Sequence, residues 1–230
     1  MVDDFETKQR SEEESAAGSG RGGDTAQKIL TAAATLFAER GFAGVSIRDI
    51  AAAAGVNKGL VFYHHESKAH LFETLLDEYY AAYSAALDAA LASDGSRDDR
   101  LHRLLDANLD FIEDHFAYAR LVQLEIAQGT ENLERIRRGM GVLHDAVATV
   151  LGDLTPGSGP LASRHFFVTF SGMVNTYFIY ATAIEPLWGA DPMSSGQRRE
   201  RREHLHWMLD AVAGRLASRA ADPDPGNGSS

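Results

Sequence analysis

The sequence predicts an all-α protein of about nine helices: a small first domain holding a helix-turn-helix, then a larger helical domain. Three observations predict it. Apolar residues recur at helical spacing from Ile29 to Leu216. No stretch shows the sustained alternation of a half-buried strand. The gaps between periodic runs are filled by helix breakers, most plainly Pro156, Gly157, Gly159 and Pro160.

The elements follow in order. Residues 1–23 are polar and rich in Glu, Ser and Gly, so a disordered tail is expected there and again over 222–230. Asp24 and Gln27 predict a capping box for a first helix carrying Ile29, Ala33, Leu36 and Phe37 and stopped by Gly41. Ser46, with Asp49 three residues on, starts a short second helix reaching Ala54. Gly55 makes a turn, and Asn57 caps a third helix running to about His65. Ser67 caps a long fourth helix with Leu71, Leu75, Tyr79, Tyr83 and Leu87 on one face, ended by Asp94, Gly95 and Ser96. Leu101 to His115, Tyr118 to Gly129 and Leu133 to Val150 mark the next three helices. An eighth covers roughly 161–184, Pro186, Pro192 and Gly196 mark a loop, and a ninth carries Leu205, Met208, Leu209, Val212 and Leu216. The domains expected are 24–70 and 71–221.

Composition narrows the chemistry. There is no cysteine, which removes disulfides, thiolate metal sites and thiol nucleophiles and fits a reducing cytoplasm. The opening residues show no basic flank followed by an apolar run, so no secretory signal is expected. The uncharged stretch between Arg164 and Glu185 is long enough to span a bilayer, but it lacks leucine and carries His165, Asn175 and several hydroxyls. A buried helix of a soluble protein, with no membrane partner, is the expectation. No histidine pair stands at zinc spacing beside a glutamate, and no G-x-S-x-G occurs, so neither an enzyme nor a metal or other cofactor is expected. The net charge of −11 is unevenly spread: −3 over 1–22, +1 over 24–70 and −9 over the remainder. The acidity therefore lies mostly outside 24–70, and phosphate contacts need only local cations.

A helix-turn-helix needs two short helices joined by a tight turn. Gly55 tolerates the left-handed backbone of that turn, and Ala51, four residues earlier, is small enough for close approach. Ile50, Ala54, Val56 and Val61 stand at inward offsets, leaving Lys58, Gly59, Leu60, Phe62, Tyr63 and His64 outward or toward the helix ends. Such a mixture suits base edges and phosphates in a major groove. A plain helical hairpin fits the same steric pattern, although it would not readily hide Lys58, His64 and Lys68.

From Thr25 to Leu71 the chain resembles the DNA-binding region of the TetR family of bacterial transcriptional regulators. The motifs are I-L-x-A-A-x-x-L-F-A-E-R-G-F from Ile29, V-S-I-R-D-I-A-A-A-A-G-V from Val45 and N-K-G-L-V-F-Y-H-H-E-S-K from Asn57. The resemblance implies a three-helix DNA-binding domain and a helical ligand-binding and dimerisation domain. The function it implies is a repressor released from double-stranded operator DNA by a small effector. It also implies that Ser46 and Arg48 touch phosphate, that Lys58, Gly59 and Leu60 approach base edges, and that Tyr63, His64 and Lys68 hold the backbone. Two positions depart from the pattern. Phe62 stands where the family often has Tyr, and so lacks a hydroxyl for phosphate. His65 stands where a large apolar residue is usual, and is either a core histidine or an extra phosphate contact.

In the second domain, aromatic and polar residues on apolar faces suggest a pocket for a mostly apolar effector: Tyr79, Tyr83, Asn108, Phe111, His115, Gln123, His144, Phe170, Asn175 and Tyr177. For the aromatics ordinary core packing is the first alternative, and for the polar residues a structural hydrogen bond stands level with ligand contact. The last two helices are apolar on more than one side, which predicts a homodimer interface at Phe167, Val174, Phe178, Leu205, Met208, Leu209 and Val212, a monomer core being the alternative.

Overall fold

The computed structural model describes residues 23–221. The expected tails lie outside them, apart from Gly23, which is helical. The described residues fall into two units dividing between Asp77 and Glu78.

The first unit holds α1 (23–40), α2 (Ile47–Ala53), α3 (Lys58–His64) and the start of α4 (Lys68–Leu91). Its core is built from Ile29, Phe37, Ile50, Val61, Leu71 and Phe72, all almost fully buried. Phe37, Phe42 and Phe72 meet with ring centroids 5.0–5.6 Å apart, which ties the loop after α1 to α4. The expected Asp24–Gln27 capping box is not formed. Asp24 lies inside α1, and its carboxylate accepts from Lys28 at 2.6 Å. A carboxylate one turn ahead of a lysine has an ammonium in reach, so it pairs along the helix.

The second unit adds α5 (Arg97–Asp114), α6 (Phe116–Gln128), α7 (Leu133–Leu151), a 3-10 turn (Gly152–Leu154), α8 (Ser163–Trp188) and α9 (Ser195–Ala221). No strand occurs among the described residues. Ser96 and Asp99 close a capping box on α5, satisfying two otherwise unpaired backbone donors. Gly129, at φ +64°, ends α6, and the buried Glu125 carboxylate ties the following loop by accepting from Thr130 Oγ1 at 2.6 Å and Asn132 Nδ2 at 3.0 Å.

α5 and α9 are joined along a polar seam. Arg202 bridges Asp106 and Asp110, and Arg198 reaches Glu113 at 3.2 Å. The His102 and His206 rings stack, and their Nε2 atoms lie 2.8 Å from Asp210 and Asp106.

α8 runs through Pro186 to Trp188 rather than stopping near 184, and α9 starts at Ser195, so that Gly196 is helical. Pro186 falls in the last turn, where it removes one hydrogen bond, and Gly189 at φ +65° supplies the stop. By length and composition alone α8 could cross a membrane.

Candidate nucleic-acid interface and ligand cavity

The helix-turn-helix is assembled by local signals. Ser46 Oγ accepts from the Asp49 N–H while the Asp49 carboxylate accepts from the Ser46 N–H at 2.9 Å, fixing the start of α2. The Ser46 hydroxyl, which also donates to the Asp49 carboxylate at 2.6 Å, and then the Ser46 N–H hold the Asp49 carboxyl below its ordinary range. At the other end Gly55, at φ +67°, turns the chain. Its N–H donates to Ala52 O at 3.2 Å and the Val56 N–H to Ala51 O at 2.9 Å, the paired closure of a helix that ends on a left-handed residue. Asn57 Oδ1 then accepts from the Leu60 N–H at 2.9 Å and starts α3.

α3 is anchored by one side chain and open on the rest. Val61 is fully buried, whereas Tyr63 is 81% exposed and Phe62 44% exposed. Lys58, Gly59, Arg48 and Ser46 are also exposed, and Leu60 and His64 are half-buried. The Lys58 ammonium lies 5.4 Å from the Phe62 ring centroid. The exposed surface of α3 and the start of α2 thus joins two cations to an amphipathic aromatic pair, a combination able to meet phosphate and base edges.

One residue takes a place other than the one the resemblance implies, and another falls on one of the two alternatives left open for it. Lys68 turns inward: Nζ donates to Phe42 O and Val45 O, both at 2.9 Å, and sits 4.2 Å from the Phe42 ring centroid. Its ammonium caps the loop between α1 and α2, where two backbone carbonyls and the Phe42 ring converge on it. His65 is a core residue, 5% exposed, with neither ring nitrogen hydrogen-bonded. Burial, then the neighbouring His70 and His64, push its pKa below the ordinary value.

The second unit encloses two chambers. The first is a cavity of about 50 Å³, partly open to solvent. It is walled by leucines of α5, by Val147 and Leu151 of α7, by Phe166 and Phe170 of α8 and by Leu209, Val212 and Leu216 of α9. The second, of about 90 Å³, is walled by Tyr79, Tyr80 and Tyr83 with Ile112, Val122, Gln123, Met140 and Asn175. Asn108, Leu143, Phe167 and Ser171 line both. They form a waist where the chambers meet. Gln123, Ile126 and Met140 are solvent-exposed as well as lining, so the second chamber opens there.

One tyrosine of this wall is tied to the waist by a hydrogen bond. Tyr83 Oη donates to Asn108 Oδ1 at 2.6 Å. Burial pushes the hydroxyls of Tyr79, Tyr80 and Tyr83 well above their ordinary pKa, so they stay protonated.

Of the pocket residues named from sequence, Tyr79, Tyr83, Asn108, Gln123, Phe170 and Asn175 line the chambers. Four do not. Phe111 is packed into the core against Tyr79 and Tyr83. His115 stacks on Phe111 and bonds Phe111 O through Nδ1 at 2.8 Å. His144 pairs with Asp145. Tyr177 points to the loop between α8 and α9, where its hydroxyl donates to Pro192 O. Periodicity marks these side chains as inward but cannot say which inward space is filled.

The residues named for a dimer face are placed differently. Val174, Leu205 and Leu209 are buried within their own chain. Phe167, Leu209 and Val212 line the first chamber, Phe178 packs on the core and Met208 is half-buried. The apolar surface left open lies on the opposite stripes: Val168, Gly172, Tyr180, Ala183 and Leu187 of α8, and Trp207 of α9. The seam pair His102 and His206 was also beyond sequence reading, because 104 residues separate the two rings.

Comparison with known proteins fits this picture. Residues 29–75 match the model of bacterial regulatory proteins of the tetR family. A probable HTH-type transcriptional regulator YttP of Bacillus subtilis is 35% identical over 104 residues, 44% of this chain and 50% of that protein. The chain spans between half and two thirds of the first curated relatives it matches. Among solved structures, the ketosteroid transcriptional regulator KstR2 of Mycobacterium tuberculosis matches with a TM-score of 0.64 at 21% identity, over 81% of this chain and 93% of that one. The regulator FadR of Bacillus subtilis, in complex with stearoyl-CoA, matches with a TM-score of 0.58 at 17% identity, over 84% and 97%. These structural likenesses establish the fold. Over residues 29–75 the chain also matches the family model of bacterial regulatory proteins of the tetR family, and the curated relatives it resembles are transcriptional regulators.

Proposed function

We propose that this chain is a sequence-specific, cytoplasmic DNA-binding regulator, a repressor that leaves its operator when a small, mostly apolar effector fills the chambers. The observation that carries the DNA reading is the exposure of α3, with Lys58, Phe62 and Tyr63 outward while Val61 anchors the helix. Exposed aromatics beside a cation on a short helix are poorly explained as core and well explained as a groove surface. The working unit is a homodimer pairing the stripe at Val168, Tyr180 and Leu187 with Trp207. Such large apolar side chains, 56–83% exposed at Tyr180, Trp207, Val168 and Leu187, favour a covering partner.

Effector binding shifts a population: the liganded dimer holds its two α3 helices at a separation other than the ~34–36 Å of one duplex turn. A ketosteroid, named for one similar structure, is largely apolar, and the stearoyl-CoA bound in another carries a long apolar acyl chain, which supports an effector with a large apolar part here. A salt-controlled gel shift tests the DNA reading. Lys58→Ala and Tyr63→Ala weaken binding without changing the oligomeric state. Unchanged affinity in both variants contradicts it.

A further inference from the structure

The chamber walls and two unpartnered hydroxyls specify the polar chemistry of the ligand. Of the described residues lining either chamber, none is Asp, Glu, Lys or Arg. A carboxylate or phosphate drawn inside would lose its hydration with no cation to receive it, a heavy penalty. Yet the space is not wholly apolar. Tyr80 Oη and Ser171 Oγ, both on the second chamber and Ser171 also at the waist, are shut off from solvent and have no hydrogen-bond partner. A buried hydroxyl without a partner is uncommon and unfavourable. Both can donate and accept, so a hydroxyl or carbonyl oxygen satisfies either one.

The layout sets the order of ligand groups. Entry is at Gln123, Ile126 and Met140; the waist at Asn108 and Ser171 follows, and the leucine-walled chamber lies beyond. Resting on the effector reading above, we propose that the ligand is an elongated apolar molecule with a neutral oxygen function, a hydroxyl or carbonyl. That oxygen parts the waist to meet Tyr80 Oη and Ser171 Oγ, while the apolar body fills the first chamber. An anionic head carried to the waist finds no cation there, so free fatty acids and their coenzyme A esters are disfavoured against a neutral ligand that places its oxygen at Tyr80 and Ser171.

The test is displacement of the neutral dye N-phenyl-1-naphthylamine from the full chain at pH 8 by 1-dodecanol, dodecanoate and lauroyl-CoA. Dodecanol displaces at about tenfold lower concentration than either anion. Tyr80→Phe, which removes only an oxygen, and Ser171→Ala each raise the dodecanol dissociation constant, corrected for each variant's own dye affinity, roughly fivefold, the loss of about one hydrogen bond. The proposal is overturned if either anion matches dodecanol, if dodecanol fails to displace, or if both variants bind it as the parent chain does. The assay contains no DNA. Dodecanol binding with these preferences but without release of a DNA fragment upholds the ligand chemistry and refutes the effector role.

Discussion

Gly139 of α7 lies flat against the ring of Tyr80: a β-carbon placed at Gly139 would fall 2.1 Å from that ring. The missing side chain is what lets the tyrosine lie across α7, so Gly139→Ala must displace the ring. Overpacking of this kind costs about 1–3 kcal/mol. In a Tyr80→Ala background the clash is gone, and alanine's helix propensity turns the same change favourable by ~0.5–1 kcal/mol. A double-mutant cycle by chemical denaturation measures the difference. Equal cost in both backgrounds rules out the clash.

Gly55 carries the turn by backbone conformation alone. Nothing lies within 4 Å of a β-carbon there, but φ is +67°. Gly55→Ala therefore destabilises by ~1–2 kcal/mol through the left-handed backbone, and Gly55→Val by more. Thermal melts of the two variants check the order. A Gly55→Ala chain as stable as the parent contradicts it.

Lys58 and Lys68 carry the same charge to different tasks. Lys58→Ala is expected to leave the melting temperature unchanged, weaken DNA binding and, if Lys58 meets a phosphate, lower the salt slope by about 1. Lys68→Ala removes two charged hydrogen bonds to Phe42 O and Val45 O, each worth about 1.5–3 kcal/mol. Its main effect is thermal. Reversed phenotypes would show that Lys68 leaves the loop to reach DNA.

His65 makes stability depend on pH. Its folded pKa lies below the ordinary 6.5, chiefly from burial. The unfolded chain therefore binds the proton more readily, and stability, complete above pH ~6.5, falls as pH drops through that value. His65→Phe removes this dependence, so the two proteins diverge between pH 7.5 and 5.5, the parent losing more. Parallel stability curves would show that His65 is not held neutral by the fold.

The helix-turn-helix was legible because each of its signals is local: Ser46 with Asp49, Gly55 and Asn57 act within three or four residues of their partners. Local signals also misled. Pro186 reads as a stop, yet a proline in a last turn removes only one bond, and α8 continues to Gly189. The chamber was half legible. Its aromatic and amide residues stand out, whereas Leu101, Leu105 and Leu216 look the same whether they face a cavity or a packed neighbour. Some residues expected at a dimer face lie inside the chain for a related reason. A helix apolar on two sides does not reveal which side its own chain covers, and Val174 and Leu205 proved to be inside.

The central claim is that α3 enters the major groove, two copies to a site. Selection of genomic fragments bound by the purified full chain tests it most directly. The account predicts one enriched inverted repeat, with half-sites about one helical turn or a multiple apart, lost with Lys58→Ala. No enriched sequence, or the same enrichment from Lys58→Ala and Tyr63→Ala as from the parent chain, contradicts it.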